Sequence, residues 1–274
     1  MGRGALVQRQ ASLDLGNPGL RLANRAWRTA ATLACFGVFM AGSFLTMPFA
    51  APLFLIPDRR GRRKRAGKAL TRIFFRFFTW LMRALGVLDL EILGLEHLQE
   101  KDLLILANHP TLIDFVVLAG IVPRADCLVK SSLLSHWAMR WPVSLAGYIP
   151  NDRGEKTLGL CKSSLESGNS IVIFPEGTRS TPGKALRLKS GAVQLALRCA
   201  PTMTQVVIDC RESNLERGGR WYLAPVRKML MRVHAFPAYE TAPVIERHGG
   251  QTRLAARELI DLLERRFDEV LERG

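Results

Sequence analysis

Two short apolar runs, each breaking into a turn of polar and charged residues, constrain the fold of this chain more than any other feature. Residues 103–114 read Leu-Leu-Ile-Leu-Ala-Asn-His-Pro-Thr-Leu-Ile-Asp, and residues 171–180 read Ile-Val-Ile-Phe-Pro-Glu-Gly-Thr-Arg-Ser. Such runs are too short for helices and read as buried strands. Pro110 is comfortable only in a turn or at the first position of a helix, which leaves His109 at a strand end with Asp114 one turn beyond. Strand ends of an open parallel sheet converge on one edge, where ligands bind. An imidazole there, followed by a carboxylate, suits a general base and its orienting partner. A lone histidine is more often structural. The second strand end, facing the same edge, turns this pair into a candidate site.

Strand-like and helix-like segments alternate through the rest of the chain. Residues 88–93 interleave apolar residues with Asp89 and Glu91, as a strand with one solvated edge does. A helix is expected to about Gly120, a strand over 126–129, a helix-like stretch over 131–145, and a helix ending near Gly168. Strands are expected over 170–174, 205–209 and 229–235, and a helix over 191–200. Residues 252–271 repeat leucines at helical spacing and read as a closing amphipathic helix. The pattern predicts an α/β fold, with a mostly parallel sheet flanked by helices.

Basic charge is concentrated before this unit. Residues 1–88 hold 15 Lys or Arg against Asp14 and Asp58, a net +13, whereas the remainder holds 24 against 22 acids. A nucleic-acid enzyme carries its positive charge around its groove, so the nearly neutral part that bears the chemistry argues against nucleic acid as a partner. From Thr29 to Pro57 there is no charged residue. A spanning helix needs about 20 apolar residues, so this run is long enough to cross a bilayer once, or to dip and return. Arg59, Arg60, Arg62, Arg63, Lys64 and Arg65 follow directly, which argues against a cleaved signal and predicts a catalytic domain on the cytoplasmic side. In residues 66–85, Lys68, Arg72 and Arg76 recur among Phe and Trp residues, a pattern for a helix lying in the headgroup region or packed into a core. The chain is thus expected to divide into a basic, helical membrane anchor over residues 1–86 and a catalytic domain over 87–274. The five cysteines are scattered, and no His or Cys cluster has the spacing of metal ligands.

Four blocks of sequence resemble the glycerolipid acyltransferases, the group of 1-acylglycerol-3-phosphate acyltransferases. Asn108, His109 and Asp114 look like the first block. Val129-Lys130 with residues 147–153 look like the second, residues 174–179 like the third, and Pro201 before Val206-Val207-Ile208 like the fourth. The resemblance covers residues 87–235. It implies a membrane-associated O-acyltransferase that moves an acyl group from a coenzyme A or acyl carrier protein thioester to a lysophospholipid hydroxyl, with no cofactor. It places such a protein at the bacterial inner membrane and assigns the third block to acceptor binding. Pro110-Thr111, where glycerolipid members commonly have Gln-Ser, is closer to acyltransferases of aryl polyene pathways, so a specialised lipid or polyene acceptor is the alternative. A non-catalytic lipid-binding protein on the same fold is the third reading.

Residue chemistry supports the same assignment. An alcohol is too little ionised at neutral pH to attack a thioester, and an imidazole, with an ordinary pKa of about 6.5, is free to take its proton. His109 is the expected base, and Asp114 is expected to hold its ring. Arg153 and Arg179 are expected to bind an anionic headgroup. Glu176 is expected to orient Arg179 or to accept a hydrogen bond from the acceptor hydroxyl, with Gly177 and Thr178 forming a tight turn. Asn108, Lys130 and Pro201 are expected to support the site. No Gly-x-Ser-x-Gly elbow is present, so direct transfer without an acyl-enzyme is expected.

Overall fold

The computed structural model describes residues 18–55, 61–129, 131, 144, 146–151, 154–181 and 184–273. Two helices come first, α1 (Pro18–Leu55) and α2 (Arg62–Ala84). The chain then alternates through β1 (Leu88–Leu93), β2 (Leu104–Ala107), α3 (Asp114–Ile121), β3 (Ala125–Val129), β4 (Ile149–Pro150), α4 (Glu155–Glu166), β5 (Ser170–Ile173) and α5 (Ser190–Cys199). It closes with β6 (Thr202–Arg211), β7 (Met229–Ala235), β8 (Tyr239–Glu240), α6 (Ala242–Glu246) and α7 (Thr252–Arg273).

The strands form one sheet in the order β1-β7-β6-β2-β5-β3-β4, with β8 also pairing with β6. Every adjacent pair is parallel except β6 with β7 and β6 with β8. Side chains alternate between two cores, as the two-residue period of a strand requires. Ile105, Ala107, Val172, Val206 and Ile208 face a core shared with α1, α2 and α3. Leu104, Leu106, Ile171, Ile173 and Val207 face the core built with α4, α5 and α7. β2 lies in the middle of the sheet between β5 and β6, and all four of its residues are buried. The expected mostly parallel, helix-flanked sheet is therefore the observed architecture.

The N-terminal helices belong to the same core as the sheet. Phe78 and Met82 of α2 are fully buried with Ala31 and Cys35 of α1 and Leu88 of β1, and the Phe78 ring meets Phe36 and Phe39 at 5.9 and 4.9 Å. Lys68 of α2 reaches the sheet and forms a buried ion pair with Asp126 of β3 at 2.7 Å. Arg72 caps the carboxyl end of α3 through the Gly120 and Ile121 carbonyls. Among the described residues, no helix is long and apolar enough to cross a membrane. Part of the charge-free run from which a membrane anchor was expected is turned inward, with Ala31 and Cys35 buried against α2 and the sheet.

Candidate active site

β2 and β5 are neighbours and run parallel, with Leu106 opposite Ile173, so the turns after them share one end of the sheet. His109 leaves the first turn and Glu176, Gly177, Thr178 and Arg179 occupy the second. Asn108, between β2 and His109, is buried and holds the main chain of β6. Its amide Nδ2 donates to the Ile208 carbonyl at 2.8 Å, and its Oδ1 accepts from the Ile208 N–H at 2.7 Å. This side chain continues the β2–β6 ladder one step past its last backbone pair, Ala107 with Val206.

The His109 ring places Nδ1 2.8 Å from Asp114 Oδ2. The Asp114 carboxylate is completely buried, while the histidine side chain keeps 23% of its surface exposed. Asp114 opens α3, where a carboxylate is favoured by the helix dipole. It also accepts from the backbone N–H of Thr111 at 2.7 Å and from the Thr111 hydroxyl. Burial pushes the Asp114 carboxyl above the usual carboxylate range, and its bonds from His109 and Thr111 pull it back. With Nδ1 turned to Asp114, Nε2 is the nitrogen left to meet a substrate. The opposite support is Phe174, whose ring stacks on the imidazole at 4.2 Å between centroids.

Glu176 binds the first block directly. Its Oε1 accepts from the backbone N–H of His109 at 2.9 Å and from the Ser180 hydroxyl at 2.8 Å. Ser180 in turn donates its N–H to the His109 carbonyl at 2.7 Å. The third block therefore clamps the backbone of the first. Burial raises the Glu176 carboxyl above its ordinary value, opposed by the bonds from His109 and Ser180.

Gly177 turns the chain with φ of 68°, a conformation that suits glycine. The Thr178 hydroxyl lies 3.4 Å from the Arg179 carbonyl. Arg179 is held by one nitrogen, Nη1, which donates to the Leu215 and Glu216 carbonyls at 3.1 and 3.3 Å. Pro201 precedes β6 and so lies at the other end of the sheet from His109, where its carbonyl accepts from the Thr241 N–H at 2.9 Å. Its place is structural. Lys130, Arg153 and the stretch containing Trp137, Met139 and Trp141 lie outside the described residues.

Sequence reasoning missed Thr111, Phe174 and Ser180. Thr111-Leu-Ile-Asp114 has the spacing of a capping box, a visible signal that a hydroxyl and a carboxylate would meet at the start of α3. Nothing in the local sequence gives the contacts of Ser180 or Phe174, which reach across the β2–β5 pair. Among the described residues, no group of three or more His, Cys, Asp or Glu side chains is placed to hold a metal ion.

An imidazole backed by a buried carboxylate stands at the carboxyl end of a central parallel strand of this α/β fold. Comparison with known proteins extends this description. Residues 89–209 match the family model described as Acyltransferase. It is 30% identical over 128 residues to the 1-acyl-sn-glycerol-3-phosphate acyltransferase of Pseudomonas aeruginosa, covering 44% of this chain and 50% of that one. It is 29% identical over 144 residues to the enzyme of the same name from Saccharomyces cerevisiae, covering 49% and 47%. The chain thus spans about half the length of these relatives. Its fold is also that of the 1-acyl-sn-glycerophosphate (LPA) acyltransferase PlsC from Thermotoga maritima. The TM-score is 0.65 at 20% identity, covering 91% of this chain and 97% of that one.

Proposed function

We propose that the protein is an O-acyltransferase that moves an acyl group from a thioester to the hydroxyl of a lysophospholipid such as 1-acylglycerol-3-phosphate. The observation that carries this reading is the His109–Asp114 pair, 2.8 Å apart at the carboxyl end of β2. In the proposed reaction Nε2 of His109 takes the acceptor hydroxyl proton as the oxygen attacks the thioester carbonyl. Asp114 fixes the ring through Nδ1 and stabilises the imidazolium, the part a carboxylate plays in hydrolase triads. The tetrahedral intermediate then expels the thiolate, which takes the proton back from the imidazolium. The new ester bond replaces the thioester bond, and the ring returns to its neutral form.

The Arg179 turn beside β5 is the proposed seat of the acceptor's anionic headgroup, with Arg153 as its partner. Coenzyme A and acyl carrier protein thioesters are both proposed donors. The exposed Leu33, Met40, Ile73, Phe77 and Trp80 of α1 and α2, set among Arg76 and Arg83, support attachment to one leaflet of a membrane. The proposed setting is the bacterial inner membrane, with the catalytic domain on its cytoplasmic face.

The test is acyl transfer by bilayer-reconstituted protein, with long-chain thioesters on both carriers against lysophosphatidate and a panel of lyso-lipids. Transfer that vanishes in a folded His109→Ala variant is the expected result. Turnover retained by that variant overturns His109 as the base.

A further inference from the structure

The segment between β6 and β7 carries a surface that the catalytic reading leaves unused. Residues 217–223 read Arg-Gly-Gly-Arg-Trp-Tyr-Leu, and all seven are exposed. Trp221, Tyr222 and Leu223 show 41%, 44% and 36% of their surface. Single exposed apolar residues are ordinary, but three large ones in succession beside two arginines are not.

This segment is held at several points. The Asn214 side chain donates to the Trp221 carbonyl at 2.6 Å, and a Cβ at Gly219 would come to 2.6 Å from the Asn214 carbonyl, so only glycine closes the loop this tightly. Its base carries the buried Leu215, whose carbonyl accepts from the Leu112 N–H at 3.1 Å and from Arg179 at 3.1 Å. Its far side meets α1. The Phe36 and Trp221 rings lie 5.2 Å apart, and the Ala224 N–H donates to the Thr29 hydroxyl at 3.3 Å. The loop follows the carboxyl end of β6, which is parallel to β2, so it stands at the His109 end of the sheet.

We infer that residues 217–223 are a docking surface for an anionic lipid bilayer, which brings the mouth of the His109 site onto the membrane. This rests on the membrane-bound reading above. Three features select a lipid surface. Tryptophan and tyrosine have an apolar body and a polar edge and favour the headgroup level. Arg217 and Arg220 complement anionic headgroups, and no acidic residue lies between them or among the aromatics. The surface also continues onto α1 through Phe36 and Thr29, where the exposed Trp27 and Leu33 stand. Leu112, 47% exposed and bonded to the base of the loop, extends the apolar surface toward the first block. A lysolipid acceptor sliding from the leaflet would then reach the site without crossing water.

The test uses the full chain with an environment-sensitive fluorophore at Tyr222→Cys, and at Glu100→Cys on the opposite end of the sheet as the reference. Unsubstituted protein taken through the same labelling is the blank. The vesicles are phosphatidylcholine with about a third phosphatidylglycerol, and contain lipids spin-labelled near the headgroup. Expected are a blue shift and quenching at position 222 and neither at position 100. A Trp221→Ser and Leu223→Ser double variant, with an unchanged unfolding midpoint, should lose at least about tenfold in vesicle affinity. Protein that sediments with the vesicles while position 222 stays unquenched overturns this proposal alone. Protein that does not sediment overturns membrane attachment as well. Quenching at position 222 without acyl transfer to any lyso-lipid supports the docking surface and overturns the enzymatic reading.

Discussion

The backbone N–H of His109 donates to Glu176 Oε1 at 2.9 Å, joining two turns 67 residues apart. The carboxylate thus acts on the position of the histidine through its main chain. Removing it in Glu176→Ala strands that N–H and the Ser180 hydroxyl, at a cost of about 2–3 kcal/mol of stability. A shift of the proposed catalytic ring, His109, by about 1 Å would cost on the order of a hundredfold in rate. The expected outcome is a fall in kcat of about that size with a much smaller change in acceptor KM. A steady-state comparison decides it, because a Glu176 that bound the acceptor hydroxyl would raise KM instead.

The same carboxyl gives a pH signature. Burial raises the pKa of Glu176 in the folded protein, so the folded state binds this proton more tightly than the unfolded chain. Its contribution to stability is present at low pH and is lost as pH rises from the ordinary glutamate value through the raised folded one. Glu176→Gln resembles the protonated form and escapes that loss. The stability of the Gln variant relative to the unsubstituted protein should therefore improve across the mildly acidic range. Urea midpoints at a series of pH values would show it, and a difference that stays flat counts against an elevated Glu176.

The sequence made the strands of the sheet easier to read than the ties between them. β1 and β7 were expected at their observed bounds, β1 because charged residues alternate along it. β6 was read too short. It runs from Thr202 to Arg211, its ends drawn into the ladder by pairing with β8 at Thr202 and β7 at Arg211. The histidine and aspartate were legible because they lie on one turn. The clamp from Glu176, the carbonyls that hold Arg179 and the stacking of Phe174 all cross between segments, and a propensity read along one segment carries no trace of them. The charge-free run left more than one reading open for a similar reason, since apolar residues suit a core as well as a bilayer.

Asp114 depends on Thr111 for two of its hydrogen bonds, one from the backbone and one from the hydroxyl. Thr111→Val keeps the shape and the N–H but removes the hydroxyl, leaving a buried carboxylate oxygen without that donor. The expected effect is about 1–2 kcal/mol of stability and roughly tenfold in kcat, with acceptor KM unchanged. Asp114→Asn should cost more, on the order of a thousandfold in kcat, because it no longer fixes the imidazole tautomer. Initial rates at saturating donor, beside thermal unfolding of each variant, separate the two effects.

The Lys68–Asp126 pair offers a test of how α2 is bound to the sheet. Both side chains are nearly inaccessible, and burial pushes the lysine pKa down and the aspartate up despite their contact at 2.7 Å. Lys68→Met removes the partner and leaves a buried carboxylate, at a cost of about 3–5 kcal/mol near neutral pH. In that variant the Asp126 pKa rises further, so the folded state holds its proton more tightly still. The penalty should shrink in acid and grow as pH rises beyond the ordinary aspartate range. Adding Asp126→Asn removes the stranded charge while keeping an acceptor for the Ser164 hydroxyl, and should restore most of the loss. Chemical denaturation of the single and double variants at two pH values checks both statements. A Lys68→Met variant that unfolds with the midpoint of the unsubstituted protein would mean that apolar packing alone seats α2 on the sheet.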